Sequence, residues 1–337
     1  MKILYLPHFE FADDTEFCRI LRSLPGTADV KSGGIFPAFR YRWQLYIDPW
    51  RRLLAYGWRA MRSAPADTQV VVTWTHLVLL PFLLGRLVGF RPKLVLVGFI
   101  YTDRASSLVR SMRWAYFRLL LSQVDLVITH ASVEAASYGA VFGQPDGKFV
   151  FVPLSAHVGE LPEPGAGGAI VSAGRSNRDY DTLLEAAEQL NVPIRIICDS
   201  FQSRRAVPPN VEVLRNCHQA DYLRVLADAR AVVIPLKDEE LSSGQMVLLH
   251  SMALGKPVLV THTKGIADYV ESERTGLTLQ RGSAASIVTQ VQRLLNDDAL
   301  TARLGEAARE RYQAHHTLKA GLSAIGRLVT ERFSSHG

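Results

Sequence analysis

The sequence predicts an α/β protein built from two doubly wound, Rossmann-like parallel-sheet domains that face a cleft. Short apolar runs alternate with helix-period stretches from end to end, the pattern of parallel βαβ units. A length of 337 residues exceeds one ordinary core and suits two. Near the middle, residues 159–168 (GELPEPGAGG) form a Pro/Gly-rich stretch that reads as a linker between the two series.

The first series offers strands at 2–6, 69–74, 94–99, 126–129 and 149–152, each a short β-branched or aromatic run bounded by polar or turn residues. The second restarts at 169–172 and continues through 194–198, 211–214, 231–234, 258–261 and 276–279. Helix periodicity fills 180–190, 220–229 and 284–296, and a last helix spans 318–333. The expected organisation is a domain at 1–158, the linker at 159–168, a second domain at 169–317, and a terminal helix at 318–337 able to cross back to the first domain. Two such sheets place ligands outside the carboxyl ends of their strands.

Composition narrows the class. Apolar residues make up 48% and charged ones 21%, a globular balance rather than a disordered one. Cys18, Cys198 and Cys217 are scattered and lack metal-ligand spacing, which fits a reducing compartment. The apolar stretch 77–90 is short and broken by Pro81, Gly85 and Arg86, so it is not expected to span a bilayer. With no leader-like start, a cytoplasmic protein is expected, soluble or peripheral on the inner face of the cell membrane. Net charge is +6, and the excess sits in residues 1–162, with 18 Lys+Arg against 12 Asp+Glu. A negatively charged partner or a solvated basic surface would each account for it.

The most informative stretch runs from Ser242 to Thr261 (SSGQMVLLHSMALGKPVLVT). A small-residue loop opens a short helix, Gly255 closes it, and a strand follows Pro257. The arrangement aims the backbone N–H groups of Gln245 and Met246, with the positive end of the helix dipole, at an anion such as a diphosphate.

Three segments carry a resemblance. Residues 172–186 (SAGRSNRDYDTLLEA), residues 244–261, and Lys264-Gly265-Ile266-Ala267-Asp268 followed by Thr275-Gly276-Leu277 are similar in order and spacing to the donor domain of retaining GT-B glycosyltransferases of the family 4 type. They cover roughly residues 169–280; the first half matches only in its strand pattern. The resemblance implies a nucleotide-diphosphate sugar as donor, with UDP or GDP, and a hydroxyl acceptor that is a saccharide or a lipid-linked saccharide. It implies retention of configuration, and neither a cofactor nor a bound metal. The family's two donor-loop glutamates are replaced here by Ser242 and His250.

On this resemblance the donor site comprises Gly174, Arg175, Arg178, Glu239, Glu240, Ser242, Ser243, Gly244, Gln245, Met246 and His250. Arg175, with Arg178 as the second cation, suits a diphosphate because a guanidinium donates paired charge-assisted hydrogen bonds. Ser243 reads equally as a plain helix cap, and Glu239 and Glu240 equally as a solvated acidic loop. His250 would be a pH-dependent partner for a ribose. In the first domain Asp103 is the leading catalytic base, with a helix cap as its alternative, and His76 is the second choice. His8, Tyr101 and Thr102 would shape the acceptor pocket.

Residues 39–62 interleave arginines with aromatics, a pattern that suits an anionic membrane surface or a helix covering the sheet. A basic patch without a nucleic-acid module argues against nucleic acid as partner. Two further readings stay open: a catalytically inactive GT-B-fold sugar-nucleotide-binding or scaffold protein of a membrane-associated assembly complex, and a sugar-nucleotide epimerase.

Overall fold

A computed structural model of the chain describes residues 1–6, 14–24, 27, 29–32, 49–101, 106–163, 165, 167–239 and 241–334. The chain divides into two compact units, Met1–Val152 with Gly321–Gly337, and Pro153–Ala320. Residues 159–168 thus fall inside the second unit.

In the first unit the described elements are β1 (Lys2–Leu6), α1 (Asp14–Ser23), β2 (Asp29–Ser32), α2 (Pro49–Ser63), β3 (Val70–Thr73), α3 (His76–Gly85), β4 (Lys93–Val97), α4 (Ser107–Ser122), β5 (Leu126–Thr129), α5 (Ser132–Phe142) and β6 (Phe149–Phe151). They form a parallel sheet in the order β2-β1-β3-β4-β5-β6. Its inner strands are buried on both faces, which is why they read as unbroken apolar runs. Strand β2 is the difference from expectation. It lies at the sheet edge with the sequence Asp-Val-Lys-Ser, so it needs little apolar character and leaves almost no trace in hydropathy.

Helices α2, α3 and α4 pack as one layer. Gly57 of α2 lies so close to α3 that a Cβ there would stand 2.6 Å from the carbonyl oxygen of Val78. The His76 ring of α3 meets the rings of Tyr116 and Phe117 on α4 edge-on, at 5.8 and 5.1 Å. A short 3-10 turn, Arg86–Val88, ends α3.

The second unit contains β7 (Ile170–Ala173), α6 (Tyr180–Ala187), β8 (Ile194–Ile197), β9 (Val211–Leu214), α7 (Gln219–Ala227), β10 (Ala231–Ile234), α8 (Gln245–Ala253), β11 (Val258–Thr261), β12 (Leu277–Leu279), α9 (Ala284–Asn296) and α10 (Asp298–Arg311). Its parallel sheet runs β12-β11-β10-β7-β8-β9. Alternate strand residues feed two cores. Val171, Val232 and Val260 pack with α8 on one face. Ile170, Val233 and Leu259 pack with α6 and α9 on the other.

Residues 153–158 are fastened to the far end of this unit. The Leu154 N–H donates to the Tyr269 hydroxyl at 2.9 Å, the Tyr312 hydroxyl donates to the Ala156 carbonyl at 2.9 Å, and the Ala156 N–H donates to the His316 carbonyl at 3.0 Å. Tyr312–His316 is a π turn, after which α11 (Leu318–Ser334) leads into the first unit. There a Cβ on Gly326 would stand 2.8 Å from a terminal methyl of Leu24 and 3.0 Å from one of Leu21, so those side chains would have to shift to admit it.

The α2–α3 crossing yields a test. In Gly57→Ala the new methyl meets backbone rather than a movable side chain, so a loss of about 1–3 kcal/mol is expected, read as a lowered Tm. The exposed Ala55→Gly on the same helix should cost about 1 kcal/mol at most, from helix propensity.

Candidate functional site

Strand order locates the site of the second unit. From β7 the chain moves outward through β8 and β9, then returns to place β10 on the other side of β7. The loops after β7 and β10 therefore flank the point where strand order reverses, the usual ligand position in open α/β sheets.

The loop after β7 turns at Gly174, whose φ is +109°. Arg178 folds back beneath it and is buried. Its Nε donates to the Ala173 carbonyl at 2.8 Å and its Nη1 to the Ser176 carbonyl at 2.8 Å. A Cβ on Gly174 would lie 2.5 Å from its Nη2. The guanidinium that was expected to serve as a second diphosphate cation thus spends two of its nitrogens on bracing the loop. Burial lowers its pKa. Arg175, by contrast, is exposed. Its guanidinium makes no hydrogen bond or ion pair among the described residues.

Asn177, with φ +57°, was not singled out in the sequence and joins the two loops. Its Nδ2 donates to the Asp238 carbonyl and to Ser243 Oγ, each at 2.9 Å, while its Oδ1 accepts from the Asp238 N–H at 2.9 Å. Asn at a left-handed position just past a Gly-turn was the available signal. Leu236 is held by its N–H donating to Thr261 Oγ1 at 2.9 Å.

Helix α8 starts at Gly244, with φ +91° and no side-chain cap. Ser243 does not cap it; its hydroxyl donates to the Leu241 carbonyl at 3.3 Å and accepts from Asn177. The first-turn N–H groups of this nine-residue helix therefore lie at the switch point without a side-chain cap. Ser242 packs on Gly265, where a Cβ would stand 2.8 Å from Ser242 Oγ. The buried Gln245 side chain donates to the Gly265 carbonyl at 3.4 Å, so it serves the loop rather than solvent. Met246 and Glu239 are exposed, and Glu240 lies outside the described residues.

His250 sits in the middle of α8, with Nδ1 3.1 Å from the Tyr222 hydroxyl of α7 and the two rings 5.6 Å apart. Burial pushes its pKa down to about 4. The ring is therefore neutral at physiological pH, and any pH-dependent change in its bonding falls near pH 4 rather than near 6.5. Burial raises the Tyr222 phenol pKa, opposed by the charge of Arg178.

In the first unit the order reverses between β1 and β3. His8, Thr102 and Asp103 lie outside the described residues. Tyr101 turns into the helix layer, its ring against Phe117 and Phe142 with the Arg113 guanidinium 5.5 Å above it. His76 begins α3 and packs on α4 as described. His130, which directly follows β5, was missed. It is buried, stacks on Trp74 at 6.0 Å, and places Nδ1 2.8 Å from the Val152 carbonyl. Trp74 in turn donates its Nε1–H to the Tyr5 hydroxyl at 3.0 Å. A histidine immediately after a strand, at the same end of the sheet as Trp74, was the signal.

Residues 168–297 match the family model described as glycosyl transferases group 1. The matched span contains the loops after β7 and β10 and all of α8. The chain is 27% identical over 105 residues to the capsular polysaccharide biosynthesis glycosyltransferase CapM of Staphylococcus aureus, an alignment covering 31% of this chain and 26% of CapM. The chain thus spans about a quarter of that relative's length. Solved structures are similar over the whole chain. Sucrose-phosphate synthase from Thermosynechococcus elongatus superimposes with a TM-score of 0.70 at 18% identity, covering 99% of this chain and 100% of that one. Anabaena HepE, solved with UDP and glucose, gives 0.67 at 14% identity, with coverage of 99% and 100%. The architecture is the two-domain GT-B fold, and the resemblance to glycosyltransferases of that fold holds.

Acid should expose the buried histidines. The unfolded chain protonates His250 near its ordinary value of 6.5, while the folded chain resists until about 4. Between those values the unfolded state binds more protons, so stability falls as pH drops through the window. His130 and His316, also lowered by burial, act in the same direction. Thermal denaturation from pH 7 to 4.5 should show a falling Tm, with a shallower slope in His250→Gln.

Proposed function

We propose that the chain is a retaining glycosyltransferase that moves a sugar from a nucleotide-diphosphate sugar, carrying UDP or GDP, to a hydroxyl acceptor. The acceptor class is a lipid-linked saccharide or surface-polysaccharide precursor, met at the inner face of the membrane. The observation that carries the reading is the uncapped start of α8 at the β7/β10 reversal, with the exposed Arg175 on the neighbouring loop. Supporting it are the group 1 match, the UDP and glucose held by HepE, and the capsular role in the name of CapM.

The chemistry asks little covalent work of the protein. The bond between the anomeric carbon and the diphosphate oxygen breaks, a bond from that carbon to the acceptor oxygen forms, and the acceptor hydroxyl loses its proton. Negative charge grows on the leaving diphosphate. The α8 N–H groups and Arg175 stabilise it, because fixed donors need no reorganisation as the charge develops. Arg178 and Asn177 act one step back, by holding the Gly174 and Ser243 loops in place. Asp103 is the proposed base for the acceptor proton.

A second reading, sugar-nucleotide binding without turnover, is favoured by one observation. His250, at the position where the resemblance expects a glutamate, is neutral and tied to Tyr222.

Thermal-shift titration with UDP, GDP, ADP, CMP and dTDP separates the outcomes. One nucleotide should stabilise selectively, by about 2.7 kcal/mol at a hundred times its Kd. Arg175→Ala should weaken that nucleotide by about 10- to 100-fold, the scale of a lost charged hydrogen bond. Unchanged affinity would remove Arg175 from the site. In a coupled transfer assay Asp103→Asn should lower kcat with little change in donor KM. Binding without transfer to any saccharide acceptor would move the second reading forward.

A further inference from the structure

A separate feature lies on the helix layer of the first unit. Eleven of the fifteen large apolar side chains left exposed among the described residues fall between Trp50 and Leu119, ten of them on α2, the end of α3 with the turn that follows it, and α4. On α4 they form a stripe. Leu108 is 71% exposed, Met112 66% and Leu119 71%, with Tyr116 between them. Spacings of four, four and three residues put all four on one side of the helix. The opposite side of α4, through Phe117, Leu120 and Leu121, fills the core. The stripe is therefore surplus to folding.

The three helices share one side of the sheet. The β2-to-β3, β3-to-β4 and β4-to-β5 connections all advance in the same direction along β2-β1-β3-β4-β5-β6, and right-handed crossovers then place α2, α3 and α4 together. Trp58 of α2 and Leu84 of α3 line one apolar groove of about 430 Å³. Leu87 and Val88 protrude just beyond it, at 83% and 84% exposure. The Arg86 side chain beside them reaches α4's end through Gln123 at 3.3 Å, which carries the surface across to Leu119.

Charge selects the occupant. Residues 49–122 hold eleven Lys+Arg and two Asp+Glu, and neither α2 nor α4 contains an acidic residue. The Arg62 guanidinium lies 5.3 Å from the Trp58 ring centre and that of Arg118 5.1 Å from the Trp114 ring centre, so cations border the apolar side chains. Asp125, at the adjacent sheet edge, is already taken up by Arg86 and Lys93. A second copy of this chain would bring like charges together, and an apolar protein groove would offer nothing to the positive charge of this face. An anionic bilayer meets both needs, with acyl chains for the stripe and headgroups for the arginines.

We propose that α2, the Leu84–Val88 turn and α4 form one docking face for anionic lipid, with Leu108, Met112 and Leu119 entering the acyl boundary. The membrane location in the proposed function would rest on this face, whereas nucleotide binding by the second unit is independent of it. Co-sedimentation with vesicles tests it, comparing phosphatidylcholine alone with phosphatidylcholine mixed with phosphatidylglycerol. The parent chain should bind only the anionic vesicles, and less as NaCl is added. Combined Leu108→Ser, Met112→Ser and Leu119→Ser, and separately Arg59→Glu with Arg62→Glu, should each cut binding by about tenfold or more. Because these side chains are exposed, Tm and any nucleotide-induced shift should stay at parental values. Absence of parent binding to anionic vesicles, or undiminished binding by both variants, would overturn the proposal. So would a dimer in sedimentation velocity that Met112→Ser dissociates. Loss of the nucleotide shift with vesicle binding intact would instead count against the donor-site reading alone.

Discussion

The loops at the carboxyl end of the second sheet depend on one buried cation. Arg178 lies under the Gly174 turn, and a charge there would be costly without partners. The Ala173 and Ser176 carbonyls supply them, which fixes the path of the chain on both sides of Gly174. A Cβ on Gly244 would stand 3.8 Å from the same guanidinium, so the start of α8 is set against it too. Asn177 then ties the β10 loop to this frame through both ends of its amide. The exposed Arg175 and the open end of α8 are flanked by loops that a buried guanidinium and a half-buried amide hold in place. For the proposed diphosphate guest such rigidity matters, because donors that must reorganise lose most of their advantage.

Much of this fold was legible in the sequence because parallel strands are buried on both faces. Val70–Thr73, Leu126–Thr129, Ala231–Ile234 and Val258–Thr261 are short apolar runs with no polar alternation. Strand β2 escaped because an edge strand is specified by its neighbour, β1, through backbone pairing. Side-chain hydropathy carries little of that information.

The site was half legible, for a related reason. Gly174, Arg175 and Gly244 follow from local rules about turns and helix starts. Arg178 turns inward onto near neighbours, Ala173 and Ser176, but only the folded turn brings them beneath it; whether Ser243 caps a helix or bonds Asn177, and whether His250 is neutral, depend on residues tens of positions away. The Ser243–Asn177 bond spans 66 residues and the His250–Tyr222 contact 28. His130 illustrates the same limit in the first unit. Its place just after a strand was visible in the sequence, whereas the Trp74 stack and the bond to the Val152 carbonyl emerge only in the fold.

The fastening of residues 153–158 to Tyr269, Tyr312 and His316 changes what the Pro/Gly-rich segment after it is. The chain passes between the units at 152/153 and again at 320/321, and each passage adjoins that fastening. Residues 159–168 come later, within the second unit, where Gly167 lies so near Asp228 that no side chain would fit. A protease that opened this segment would leave 153–158 anchored by hydrogen bonds on one side and the rest of the unit intact on the other. Scission there would leave those hydrogen bonds untouched, so the most cleavable-looking stretch of the sequence is not the segment at which the chain passes between the units.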